Sequence, residues 1–149
     1  MQYERVFRLI AVGKFKDRQL EAKYQEFTTW LAKYGKLAVT IIPDSDKERE
    51  SAAICKELDK EKNAVVFVLS EEGKEWTTVE FAGKLRDLES KAVFVIGGPF
   101  GMTDEVKRRG RALWSLSKLT FTHEMARVIL TEQLFRAMNF LNGGAYHHQ

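Results

Sequence analysis

Three stretches of the chain carry residue types and spacings that could do chemistry. The first is Gly97-Gly98-Pro99-Phe100-Gly101, directly after the apolar run Ala92-Val93-Phe94-Val95-Ile96. Glycine has no Cβ, so a ligand can come close to the main chain there. The second is Trp114-Ser115-Leu116-Ser117-Lys118-Leu119-Thr120-Phe121-Thr122-His123. Its Ser117 to Thr122 part can offer main-chain amides and carbonyls to the edge of a flat base. The third is the tail Tyr146-His147-His148. Between them lie Arg127, Glu132 and Arg136. Glu132 and Arg136 are spaced to pair on a helix, with the acid on the favourable N-terminal side, whereas Arg127 and Glu132 do not share a face well.

Each stretch also has a structural explanation. Glycines close turns, alternating Ser and Leu suit a half-buried strand, Glu–Arg pairs decorate helices, and termini fray. The glycine turn has the spacing of neither a dinucleotide fingerprint nor a P-loop. No Ser-His-Asp or Cys-His nucleophile arrangement is evident. His147 and His148 have no further His or Cys at ligand spacing, so no metal site is expected.

At 149 residues the chain is expected to form one domain, with 44% hydrophobic and 30% charged residues. Its one cysteine, Cys55, excludes an intrachain disulfide and favours a reducing compartment. Nothing near the start reads as a signal peptide, and no run approaches the roughly 20 apolar residues of a membrane span. The expectation is a soluble, cytoplasmic protein. The net charge of +3 permits an anionic partner without demanding one. The local basic runs, Lys14-Phe15-Lys16-Asp17-Arg18 and Lys107-Arg108-Arg109-Gly110-Arg111, are solvated faces or contacts to such a partner.

The elements that must position these residues alternate. Val6 to Val12 reads as a strand, followed by a helix from Arg18 to Tyr34 with Leu20, Tyr24, Phe27, Leu31 and Tyr34 on one face. Leu37 to Ile42 is a strand, and Asp44-Ser45-Asp46 caps a polar helix carrying Ile54 and Leu58. Ala64 to Leu69 and Ala92 to Ile96 have the continuous apolar character of strands covered on both faces. Ser70 to Lys74 reads as a loop, and Thr77 or Thr78 as the cap of a helix. A short basic helix, a strand from Ala112 to Leu116 and a long helix from Thr122 to Leu141 complete the order. This βα alternation gives an α/β fold, a mainly parallel sheet flanked by helices. Generic rules predict an ordinary Rossmann-like winding. The long helix is apolar around much of its girth, which points to a second covering surface such as another subunit.

Taken in order, Val95 to Met102, Trp114 to His123, Arg127-Val128, Glu132 to Ala137 and Tyr146-His147 resemble the RlmH (YbeA-like) family of SPOUT methyltransferases. Leu9 to Lys14, Gly73-Lys74 and Trp76 fit as well, so the resemblance covers essentially the whole chain. It implies a SPOUT α/β knot, with a C-terminal trefoil knot, and a homodimer. It implies transfer of a methyl group from S-adenosylmethionine to N3 of a pseudouridine in large-subunit (23S) ribosomal RNA, on the assembled ribosome. It maps the cofactor pocket onto Leu69, Gly97, Gly98, Ser117, Lys118, Leu119, Thr120, Phe121 and Thr122. A valine at Gly98 is then expected to weaken cofactor binding by intruding a side chain. His123, Arg136, Tyr146 and His147 become candidates for orienting or stabilising the substrate. Family tails read His-Pro-Tyr-His before a basic residue; here Gly144-Ala145-Tyr146-His147 precedes His148. That departure motivates a competing expectation, a non-catalytic ribosome- or RNA-binding relative. The α/β pattern alone also admits a nucleotide-binding enzyme of another type.

Overall fold

The computed structural model describes residues 5–148. Five strands form one parallel sheet: β1 (Arg5–Val12), β2 (Gly35–Ile42), β3 (Ala64–Glu75), β4 (Lys91–Ile96) and β5 (Ala112–Ser115). Their order across the sheet is β2-β1-β4-β3-β5. The helices are α1 (Arg18–Leu31), α2 (Lys47–Leu58), α3 (Thr78–Arg86), α4 (Asp104–Arg109) and α5 (His123–Leu141).

Period-two alternation divides the core between the two faces of the sheet. Phe7, Leu9, Phe67, Leu69, Phe94 and Trp114 pack with residues of α1, α3 and α5. Ile10, Val12, Val68, Val93 and Val95 pack with Ile54 and Leu58 of α2 and Val106 of α4. β4 is central, and its Val93, Phe94 and Val95 are fully buried. The sequence placed β3 and β4 correctly among strands covered on both sides. The winding is not the ordinary one: β3 lies outside β4, and β5 returns outward to pair with β3. Cys55 is buried in α2.

Local chemistry sets the boundaries. Asp46 caps α2 by accepting from the Arg49 amide. Thr77, not Thr78, caps α3 in a reciprocal box with Glu80. Thr122 caps α5 through the Met125 amide. The loop expected at Ser70 to Lys74 lies within the span of β3. Pairing with β5 stops at Leu69 and resumes at Lys74, both opposite Trp114, so Ser70 to Gly73 bulge out of the strand. Gly73 sits where a Cβ would lie 2.3 Å from the Leu113 carbonyl oxygen, so only glycine fits. Among the described residues, no helix is long and apolar enough to cross a membrane.

Candidate functional site

The carboxyl ends of β3, β4 and β5 meet at one cavity of about 760 Å³, where parallel α/β sheets bind their ligands. A second hollow, about 670 Å³, lies near the opposite ends of these strands, beside Asn63, Ser90 and Arg111. The larger one has the strand-end main chain that a ligand needs.

Four segments wall the larger cavity. The turn after β4 contributes Gly97, Gly98, Pro99 and Gly101. It is closed by the Gly101 amide donating to the Gly98 carbonyl at 3.1 Å, with Gly101 at φ 80°. A left-handed φ of that kind favours glycine. The β3 bulge contributes Ser70, Glu71 and Glu72. It is tied down twice, by Thr120 Oγ1 donating to Glu71 Oε2 at 2.5 Å and by Lys107 pairing with Glu72 at 2.6 Å. The β5–α5 connection contributes Leu116, Ser117, Leu119, Thr120, Phe121 and Thr122, with His123 following at the start of α5. Ser115 Oγ, donating to the Ser117 carbonyl at 2.7 Å, fixes its first turn.

The fourth wall is the β1–α1 loop, through Asp17, with Leu20 of the first turn of α1. Helix α5 holds it. Arg127 is 2% exposed, and its Nη2 donates to the Val12 and Gly13 carbonyls at 3.3 and 2.7 Å. Its guanidinium lies 4.5 Å from the Phe15 ring centroid. Burial pushes Arg127 below its ordinary pKa, with partial compensation from Tyr24 and Glu124. Glu124 Oε1 accepts from the Lys16 and Asp17 amides at 3.0 and 3.1 Å. Burial would raise the Glu124 carboxyl, but these two donors and His123 bring it below the ordinary carboxylate value. Arg127 and Glu124 were not singled out as wall-builders from sequence. The signal available was their position in the first turns of α5, where side chains can reach the ends of the sheet.

The sequence-derived cofactor set converges here with one exception. Leu69, Gly97, Gly98, Ser117, Leu119, Thr120, Phe121 and Thr122 all line the cavity; Lys118 is exposed and does not. His123 also lines it. The other three residues expected near the substrate lie elsewhere. Arg136, Tyr146 and His147 gather around Glu132 on the later turns of α5. Glu132 Oε2 accepts from Arg136 Nε and Nη2 at 3.0 and 2.6 Å, and from the Tyr146 hydroxyl at 3.0 Å. The Arg136 guanidinium stacks 4.6 Å above the Tyr146 ring, and Nη1 lies 3.3 Å from His147 Nδ1. The Tyr146 amide donates to Asn139 Oδ1, and its ring meets Trp30 and Phe135 edge-on. Burial, then the Glu132 carboxylate, raises the Tyr146 hydroxyl above its ordinary value, so it keeps its proton and donates. The hydrogen bonds to Glu132 raise Arg136, which stays cationic.

Thirteen residues of α5 separate His123 from Arg136, about 20 Å along the axis at 1.5 Å per residue. One chain therefore holds its cavity and its Tyr146 cluster at opposite ends of the same helix. Ala126, the last α5 residue on the cavity wall, is still ten residues short of Arg136.

A family described as "Predicted SPOUT methyltransferase" matches residues 6–147. The ribosomal RNA large subunit methyltransferase H of Maridesulfovibrio salexigens is 40% identical over 149 residues, covering 92% of this chain and 94% of that protein. Its namesake in Prochlorococcus marinus (strain SARG) is 38% identical over 144 residues, 96% of each chain. A further namesake in Bacteroides fragilis is 43% identical over 114 residues, 74% of this chain and 71% of that one. In fold, the chain is similar to a methylase family protein of Haemophilus influenzae Rd KW20, with a TM-score of 0.61 at 15% identity over 96% of this chain and 70% of that one. Glycine turn, capped α5 and strand-end cavity occur in a chain matched along nearly its whole length, and the chain belongs to the SPOUT methyltransferase family.

Proposed function

We propose that the protein methylates N3 of a pseudouridine in large-subunit (23S) ribosomal RNA, with S-adenosylmethionine bound in the strand-end cavity. The observation that carries this reading is the convergence of Leu69, the glycine turn and the run Ser117 to Thr122 on one hollow. Its volume falls within the roughly 300–1,000 Å³ of small-molecule sites. Leu69, Ile96, Met102 and Leu116 offer apolar surface to an adenine ring, and the glycine turn and Ser117–Thr122 offer main-chain polar groups to its edges. The donor, when bound, supplies an electrophilic methyl group. The chain's own task is to hold the target nitrogen in line with it, which is a proximity effect. The imide nitrogen must also lose its proton, and a fixed cation stabilises the resulting anion. Arg136, locked by Glu132, is that cation, and the Tyr146 hydroxyl and His147 orient the base. The relatives named for large-subunit RNA support this substrate, and work on ribosomes belongs in the cytoplasm.

The separation of cavity and cluster along α5 supports a homodimer in which one protomer's Tyr146 cluster completes its partner's cavity. Two-fold symmetry with antiparallel α5 helices brings opposite helix ends together. Met125, Ile129 and Phe140 leave surface exposed on the α5 face that also carries Glu132 and Arg136, a stripe at helical spacing. Leu134 is fully buried and belongs to the chain's own core. The strand order, with β5 outermost and α5 crossing back to the end of β1, also supports the trefoil knot.

The test is complementation. Leu119→Asp spoils the cavity and Arg136→Ala spoils the cluster, so each homodimer should be inactive on ribosomes. Mixed and re-dimerised, the two should recover methyl transfer, because one site per heterodimer is intact. No recovery from proven heterodimers contradicts the shared site.

A further inference from the structure

The two basic runs of the sequence have different fates in the fold. In the later run, Lys107 is paired with Glu72 at 2.6 Å and Arg109 with Asp59 at 2.7 Å. In the earlier run, Lys14, Lys16 and Arg18 are exposed, and none has an ion-pair partner among the described residues. The acid between them is already committed. Asp17 Oδ1 accepts from the Gln19 and Leu20 amides as the cap of α1.

These cations stand on a rigid mount. Gly13, at φ +82°, donates its amide to the Ile42 carbonyl at 2.8 Å. Phe15 turns inward, between the Arg127 guanidinium and the Tyr24 ring, whose centroid is 5.0 Å away. Glu124 holds the Lys16 and Asp17 amides. Lys14, Phe15 and Lys16 therefore alternate exposed, inward and exposed. The loop borders the cavity through Asp17. With a net charge of only +3, attraction of a polyanion must come from local groups such as these.

We propose that Lys14, Lys16 and Arg18 form a phosphate-binding strap that holds the backbone of the RNA strand entering the cavity. The proposal rests on the RNA-methyltransferase reading above and adds where the backbone is gripped. A loop whose backbone is already fixed loses little main-chain freedom on contact, and each phosphate its cations neutralise releases counterions.

The experiment compares the wild-type dimer with Lys14→Gln/Lys16→Gln/Arg18→Gln and with a charge-matched control, Lys36→Gln/Lys56→Gln/Lys62→Gln. The control lysines are exposed and lie away from the cavity. Binding to purified large ribosomal subunits lacking the modification is measured across a salt series, alongside S-adenosylmethionine affinity. The strap variant should bind subunits about 10-fold or more weakly near physiological salt, and its slope of log K against log salt should flatten by about 2, at ~0.7 per lost phosphate contact. Its cofactor affinity should stay within about twofold of wild type, well under the 1.4 kcal/mol that a tenfold change represents. An unchanged salt slope, an equal loss in the control, or a parallel loss of cofactor affinity would overturn the strap. Methyl transfer on the same subunits reports separately: a wild type that binds subunits without transferring methyl refutes the catalytic reading, while the slopes still decide the strap. A wild type that binds no subunits at any salt overturns the strap as well.

Discussion

A valine in place of Gly98 would set its Cβ 3.0 Å from both Glu50 Oε1 and Val12 Cγ1. Those atoms belong to the buried side of the turn, so the expected intrusion into cofactor space is replaced by a clash with the core. Gly98→Val should cost about 1–3 kcal/mol of stability, read from the denaturant midpoint. The cavity is tested better at Leu119, which lines it and is 72% exposed. Leu119→Asp should leave stability within about 0.5 kcal/mol, yet weaken cofactor binding about 100-fold or more by calorimetry, about 2.7 kcal/mol. At the other end of α5, Tyr146→Phe removes a hydroxyl donated to a carboxylate. Methyl transfer should fall about 10- to 100-fold, as the loss of a charged hydrogen bond implies, with cofactor affinity unchanged. The residues placed in the proposed site were legible as types and positions: glycines after an apolar strand, a capped helix opening on His123, a Glu132–Arg136 pair at helical spacing. Their distribution in space was not. Helical spacing fixes which side chains share a face, but it is silent on what lies 20 Å away along the axis.

Strands and helices came through the sequence where a single physical signal dominated. The wholly apolar Ala64–Leu69 and Ala92–Ile96 required two covered faces, and Asp46, Thr77 and Thr122 supplied caps where the helices begin. The bulge at Ser70 to Gly73 did not come through, because a polar segment with a glycine has the composition of a loop; only the pairing with β5 that resumes at Lys74 makes it an excursion within one strand. Strand order was equally hidden, since β3 and β4 have the same apolar pattern and neither declares its neighbour. The attachment of α2 to the sheet makes its own prediction. Arg8, 8% exposed on β1, pairs with Glu57 at 2.5 Å and Glu61 at 2.8 Å, and Lys91 joins Glu61 at 2.9 Å. Hydrogen bonds from Lys60 and then Arg8 hold Glu57 below its ordinary value. Burial would raise Glu61, but Lys91 and Arg8 more than offset it. Both folded values lie below the unfolded ones. The stabilisation is therefore complete above the ordinary value of 4.5 and is lost as pH falls through the folded values. Arg8→Met should cost about 2 kcal/mol at neutral pH and flatten the acid side of the stability profile, as followed by thermal unfolding across pH.

For the whole molecule, the fold sets the two halves of the proposed reaction apart along α5, and the proposed symmetric pair of chains would reunite them. Ile129 is only partly buried on the face of α5 that carries Glu132 and Arg136. Ile129→Lys should yield folded monomers by light scattering, with cofactor affinity retained and methyl transfer lost. A dimer of unchanged mass would refute this placement of the interface. The direct measurement of the central claim is methyl transfer itself. Ribosomes lacking the modification are incubated with the protein and S-adenosylmethionine, and the large-subunit RNA is digested and mapped by mass spectrometry. The expected result is methylation confined to N3 of one pseudouridine, slowed in Tyr146→Phe and lost in Arg136→Ala. An intact, cofactor-binding protein that leaves that RNA unmethylated, or methylates another base, would contradict it.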